Sequence, residues 1–227
     1  MRALLALLLL AAQAAQPAPA GVVVIDHLIL GIADLDRGIA EFEAKTGVRP
    51  VFGGVHPGRG TQNALASLGG GAYIEILAPN PKEENPAQPI DGLKALTTLT
   101  PVGWAAGTTD MFALQARLQG REIRHGAAMP GSRALPDGSR LQWSTVGIQQ
   151  PAHDWMPFFI RWADPAKHPS LTTPAGCRLE SLLIEHPNPD PLTHVFSTVQ
   201  LKVPVRTSDR SRMTIVLECP KGRVTWR

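Results

Sequence analysis

Beyond its first twenty residues this 227-residue chain has no long apolar run, so nothing in the remainder reads as a membrane span. Charge of one sign is equally scarce: 22 Lys and Arg face 19 Asp and Glu. The basic residues are scattered, with no stripe interleaved by aromatics, and nucleic acid is therefore excluded as the expected partner. A Gly-rich phosphate loop, an HExxH pair and a GxSxG elbow are all missing, which removes the short motifs for nucleotide binding, zinc proteolysis and elbow-type serine hydrolysis. Cysteine is limited to Cys177 and Cys219, and neither has the setting of a nucleophile.

What is present begins with a leader. Met1-Arg2 supplies a positive start, residues 3–12 are apolar with six leucines, and small-residue exits follow at Ala12-Gln13-Ala14 and Ala18-Pro19-Ala20. This is the pattern of a secretory signal peptide over residues 1–20, cleaved after Ala20 or, alternatively, Ala14. No cysteine stands at the exit for a lipid anchor. The mature chain is expected to be periplasmic or secreted, with no membrane contact after leader removal. In an oxidising compartment Cys177 and Cys219 are expected to pair, each bordering a strand-like run; two free buried thiols are the alternative.

The remaining residues, rich in Gly and Pro (21 of each), suit many short strands and turns. Residues 22–30 alternate as a strand, with Ile25, His27 and Ile29 on one face and Val24, Asp26, Leu28 and Leu30 on the other. Asp34 caps a helix running to Thr46, with Gly47 as its stop. Strands follow at 50–55, 61–68 and 72–77, separated by a turn at 56–60 and a Gly69-Gly70-Gly71 hairpin loop. A Pro-rich linker occupies 81–99, with a short helix at 92–98. The order then repeats: strand at 102–107, helix at 110–118, strand from Ile123, turn at Met129-Pro130-Gly131, and strands at 140–146 and 156–162. Gly47 to His56 and Gly120 to Met129 are both nine residues, an internal duplication with weak identity. A further strand (178–184), helix (191–199) and closing hairpin (201–206 with 213–217) complete the chain.

Asp26-His27-Leu28-Ile29-Leu30 and Tyr73-Ile74-Glu75-Ile76-Leu77 each place one metal-capable polar side chain inside a strand-forming run, where burial is costly unless something binds it. With these two segments, Asp34-Leu35-Asp36, His56-Pro57-Gly58 before Thr61-Gln62-Asn63-Ala64-Leu65, Ala78-Pro79, Pro157-Phe158-Phe159-Ile160-Arg161-Trp162 and His168-Pro169-Ser170, the chain resembles the vicinal-oxygen-chelate superfamily. Within it the likeness is to glyoxalase-like domain proteins of the glyoxalase, bleomycin-resistance and dioxygenase type. The resemblance implies an α+β fold in which tandem βαβββ modules (21–80 and 100–165) form a curved mixed sheet cup, followed by a C-terminal βαββ extension (166–227). It also implies a small-molecule ligand in the cup and a monomer or homodimer. In metal-using members, ligands come from the first and fourth strands of both modules, which points to His27 and Glu75 as ligands of a divalent ion such as Zn, Ni, Mn or Fe.

The second module departs from that pattern. Its first strand offers no His, Glu or Asp, and Phe159 stands near the place of the second Glu. A third ligand would have to be His56 or Gln62, or else His153 or His168. The site residues expected are His27 and Glu75 as catalytic or metal-binding groups, with Asn63, His56, Phe159, Arg161 and Trp162 contacting substrate and Trp104 and Phe158 adding aromatic walls. The bland alternatives are a core histidine at His27 and a buried ion pair of Glu75 with Arg59 or Arg161. Two readings stay open: a metal-dependent lyase, isomerase or dioxygenase acting next to a carbonyl, or a metal-free protein that binds or sequesters a small molecule.

Overall fold

The computed structural model describes residues 21–83, 87, 89–134 and 138–227, so the expected leader at 1–20 lies outside the described residues. The first module runs β1 (Val23–Gly31), α1 (Leu35–Thr46), β2 (Val51–His56), β3 (Thr61–Gly69) and β4 (Ala72–Pro79). Asp34 begins α1 by accepting a hydrogen bond from Arg37 N at 2.8 Å, and Gly47 ends it at φ 80°, a backbone conformation that favours glycine. After α2 (Asp91–Lys94) the second module follows: β5 (Thr100–Thr108), α3 (Met111–Gln119), β6 (Arg124–His125), β7 (Met129–Ala134), β8 (Arg140–Val146), β9 (Ile148–Gln150) and β10 (Phe158–Trp162). Asp110 caps α3 through Ala113 N at 2.9 Å, as Asp34 caps α1. A 3-10 turn (Pro165–Lys167) and α4 (Pro169–Thr172) lead to β11 (Arg178–His186), α5 (Asp190–Val199), β12 (Val205–Thr207), β13 (Arg212–Cys219) and β14 (Gly222–Trp226).

Eight strands form one mixed sheet in the order β2-β3-β4-β1-β5-β10-β8-β7. Each module contributes four strands in the same internal arrangement, and β1 meets β5 antiparallel at the centre. Both modules pair their first and last strands in parallel, β1 with β4 and β5 with β10. The sheet curves until its two ends approach each other, where the Arg133 side chain of β7 crosses Gly54 of β2. One face of the curve is therefore a cup.

Alternation along the strands divides the side chains. Leu28, Leu30, Ile74, Ile76, Ala64, Ala66 and Phe159 point to the convex side, into a single apolar cluster. Helices α1 and α3 and the second sheet, ordered β12-β11-β13-β14, supply the rest of that core. Phe42 of α1 stacks on Trp226 of β14 with ring centroids 5.5 Å apart, and Trp104 of β5 meets Phe196 of α5 edge-on at 5.6 Å. The C-terminal segment is thus the outer wall of the shared core. Among the described residues no helix is long and apolar enough to cross a membrane.

Three local expectations change. Met129-Pro130-Gly131 is not a turn but the start of β7, an end strand, where proline's missing N–H is tolerated. The strand expected from Ile123 shrinks to β6, which pairs with β9 outside the main sheet. The nine-residue spacing consequently aligns the end of β2 with the beginning of β7. Finally, β12 and β13 do not form a hairpin. β12 lies parallel to β11 after the α5 crossover, β13 pairs antiparallel to β11 on its other side, and the closing hairpin is β13 with β14, one strand more than βαββ. Strand-forming runs were visible in the sequence; their partners depend on this crossover.

Cys177 and Cys219 are joined, closing a separation of 42 residues between the start of β11 and the end of β13. Replacing both by serine is expected to lower stability by about 2–4 kcal/mol, measured by denaturant unfolding under oxidising conditions, whereas reductant should leave the variant's transition unmoved.

Candidate functional site

On the cup face, β1 presents His27 and Ile29, β4 presents Tyr73, Glu75 and Leu77, and β3 presents Thr61, Asn63 and Leu65. From the second module come Phe158, Ile160 and Trp162 of β10, Trp143 and Thr145 of β8, and Arg133 of β7. The cavity measures about 550 Å³, ample for a small organic molecule.

His27 and Glu75 sit on neighbouring parallel strands, with Glu75 opposite Ile29 and His27 opposite Tyr73. His27 Nε2 lies 3.5 Å from Glu75 Oε2. The other carboxylate oxygen, Oε1, accepts a hydrogen bond from Asn63 Nδ2 at 2.6 Å and lies 3.7 Å from His56 Nε2. Carboxylate chemistry orients the Asn63 amide, since the nitrogen must face Glu75. Its Oδ1 is left buried without a hydrogen-bond partner, beside Gly53, where any Cβ would collide with it. His56 Nδ1 is 2.9 Å from Thr61 Oγ1. Burial lowers the His56 pKa from its usual 6.5; the Glu75 carboxylate opposes this, while Arg59, Arg133 and His27 reinforce it.

Beneath His27 is a carboxylate that period-two alternation assigned to the opposite face. The pairing of β1 with β5 slips between Ile25 and His27, so Asp26 is an extra, unpaired residue at a bulge. Its Oδ1 lies 2.7 Å from His27 Nδ1. Its Oδ2 accepts from Trp162 Nε1 at 3.0 Å and lies 3.1 Å from His168 Nε2. The Ser170 backbone N–H donates to His168 Nδ1, which leaves His168 Nε2 as the proton-bearing nitrogen toward Asp26. Gly107 leaves the room for Oδ2, since a Cβ there would come within 2.8 Å of it. Burial by itself would raise the Asp26 pKa. The hydrogen bonds and charges of His168 and His27 outweigh it and hold the carboxyl at about 2. With Nδ1–H donating to Asp26, His27 turns Nε2 into the cup toward Glu75. Its ring stacks on Tyr73 (4.7 Å) and meets the Phe158 edge (5.5 Å). Tyr73, fully enclosed, has its phenol pKa raised well above 10 by burial, with Asp26 and Glu75 adding to the effect.

The structure therefore brings His27, Glu75, Asn63, His56 and Trp162 to one cavity. It does not bring Phe159 or Arg161 there. Phe159 alternates into the convex core, and Arg161 is exposed, donating from Nε to Thr109 O at 3.2 Å. The cup-facing residues of that strand are Phe158, Ile160 and Trp162, so Phe158 and Trp162 stand where they were expected and Ile160 takes the place expected of Phe159 and Arg161. Trp104 also leaves the cup, donating from Nε1 to Trp155 O at 2.7 Å. Gln62 bonds Pro79 O, and His153 packs beside His186 with rings 3.9 Å apart, away from the cup. Asp26, Tyr73, Arg133 and Trp143 were not singled out from the sequence. The bulge hid Asp26, while the other three carry no local motif.

A divalent ion is what the resemblance implied. The donors that reach the cup are His27, His56 and Glu75, and Asn63 already engages both Glu75 Oε1 and, at 3.3 Å, His56 Nε2. Among the described residues the second module contributes Trp143, Thr145, Phe158, Ile160 and the cation Arg133 at this face, and no imidazole or carboxylate. Among the described residues no group of three or more His, Cys, Asp or Glu is arranged to hold a metal ion. The described residues do not fit the four-ligand centre of metal-using members, and His56, the third ligand considered with His27 and Glu75, reaches the cavity without completing a group arranged to hold a metal ion.

Residues 25–199 match a protein family described as a glyoxalase-like domain. No curated protein matches the chain. Among solved structures, a hypothetical protein from Staphylococcus aureus is similar at 17% identity and a TM-score of 0.65, over 91% of this chain and 85% of that one. Methylmalonyl-CoA epimerases align over shorter spans. A Streptomyces coelicolor variant in complex with 2-nitronate-propionyl-CoA gives 20% identity and a TM-score of 0.44, over 62% of this chain and 97% of that one. The Mycobacterium tuberculosis enzyme gives 21% and 0.43, over 65% and 92%.

Two outcomes are expected. Asp26→Asn should cost about 2 kcal/mol at pH 7, because the carboxyl drops from 3.8 unfolded to about 2 folded. That contribution is complete above pH 4 and is lost as pH falls through 2, so denaturation midpoints of wild type and variant should converge in acid. Elemental analysis of protein purified without chelator should find far less than one metal per chain. Stoichiometric metal that vanishes in His27→Ala/Glu75→Ala would overturn that expectation.

Proposed function

The chain belongs to the glyoxalase-like domain family, and on that premise we propose that it is an exported protein whose cup binds a small organic carbonyl compound and moves a proton beside the carbonyl. The observation that carries this reading is the convergence of Glu75 and His27 on one cavity wall, with Asp26 fixing the imidazole from behind. Glu75 is the general base. It is held by Asn63, and its Oε2 points at the one imidazole nitrogen that no other group claims. His27 Nε2, unprotonated while Nδ1–H serves Asp26, takes the proton on from Glu75 and, once protonated, donates a hydrogen bond to the enolate oxygen. The Asp26 carboxylate stabilises positive charge on that ring as it forms, which favours the transfer. Phe158, Trp143 and Trp162 exclude water from the other wall. The leader at 1–20 supports export.

A second reading, binding without turnover, is favoured by the aromatic make-up of the second module's half of the cup. Benzylic hydrogen exchange separates the two. With phenylacetone and phenylpyruvate as probes in D₂O, wild type should accelerate loss of the benzylic C–H signal. Glu75→Gln should reduce that acceleration about 100-fold or more while leaving binding within a few-fold. Saturable binding with no acceleration by the wild type would instead establish a binding protein.

A further inference from the structure

The cavity is electrically lopsided in a way that the base and its histidine do not explain. Among the described residues its lining holds three arginines, Arg59, Arg133 and Arg140, and a single carboxylate, Glu75. Arg59 and Arg140 lie exposed at the rim, whereas Arg133 is 9% exposed. Its side chain runs over Gly54, whose φ of +142° and missing Cβ leave the space: a Cβ there would stand 3.2 Å from Arg133 Cδ. Burial lowers the Arg133 pKa, and the nearby Tyr73 and Glu75 oppose that. Glu75 nonetheless makes its ion-pair contacts with His27 and His56, and among the described residues makes none with Arg133. A guanidinium and a carboxylate thus face one cavity from opposite modules without touching, beside the apolar faces of Trp143 and Phe158.

We propose that the ligand of this cup is an organic anion, its carboxylate or phosphate group gripped by Arg133 and steered in by Arg59, with a flat apolar body against Phe158 and Trp143. This rests on the reading of the cup as a ligand site and adds the ligand's class. A planar guanidinium at a low-dielectric wall pairs with either oxyanion through two parallel hydrogen bonds. The surplus of positive charge around the cavity concentrates anions there. In place of the missing second-module metal ligands, the second module supplies a fixed cation.

Matched pairs test the proposal: phenylpyruvate against phenylacetone for the carboxylate, and phenyl phosphate against phenol for the phosphate. Affinity is read by titration of the tryptophan indole N–H signals in NMR. The anionic member of at least one pair should bind about tenfold or more tightly than its neutral partner, and the preferred pair identifies which anion the site takes. The preference should collapse in Arg133→Gln, persist in Arg133→Lys, weaken in the surface variant Arg59→Gln, and fall as salt is raised. Arg59→Gln keeps the test decisive if Arg133→Gln does not fold. Equal affinity within both pairs, or a preference indifferent to Arg59→Gln and Arg133→Lys/Gln alike, overturns the anion inference and leaves the ligand cup standing. Failure of all four probes to shift any cup signal overturns the ligand cup and the inference together.

Discussion

The buried carboxylate of Asp26 is the constraint on which the candidate site depends. It binds His27 on its own strand, Trp162 on the last strand of the second module, and His168 in the segment that leads to the C-terminal sheet. An isolated carboxylate this deep would be expelled or neutralised. Three donors on three parts of the chain keep it charged, and in doing so they pin those parts together. The imidazole of His27 is a consequence: once Nδ1–H serves Asp26, only Nε2 remains for the cavity. Small residues complete the arrangement, since Gly107 admits the carboxylate and Gly53 admits the amide of Asn63.

The two halves of the cup have diverged in chemistry while keeping one topology. β1 and β4 carry the imidazole and the carboxylate; β5 and β10, in the same places of the second module, carry small and apolar residues. One topology thus carries a polar wall in the first module and an aromatic one in the second. The cation on that second wall is an arginine from β7, brought beside Gly54 only because the ends of the eight-stranded sheet approach each other. The C-terminal segment, by contrast, works on the convex side. It covers the core with Phe196 and Trp226 and, among the described residues, lines the cup through Pro169, with His168 held on Asp26.

Much of this was legible in the residues. Asp34 and Gly47 announced α1 because capping is a local interaction between neighbours in sequence. Strands with one polar residue at a cup-facing position announced His27, Glu75 and Asn63. The failures are as specific. Phe159 was placed one position out of phase, because a short run of Phe-Phe-Ile-Arg-Trp has apolar side chains on both faces and its period cannot be read. Asp26 was put on the wrong side because a bulge adds a residue that alternation does not count. Met129-Pro130-Gly131 was read as a turn, although an end strand tolerates proline and the ring of Trp143 fills the space a side chain at Gly131 would need.

By itself, then, the sequence determined most of the strands and helices of the first module, the caps of α1 and the polar pair at 27 and 75, since each follows from propensity and short-range periodicity. Tertiary structure alone decided which residues meet at the site: Asp26 with His168 and Trp162, and Arg133 opposite Glu75 across the cavity. Those meetings span up to 142 residues and arise from sheet closure, a bulge and a crossover. These are long-range pairings, and no window of neighbouring residues contains the partners that stabilise them.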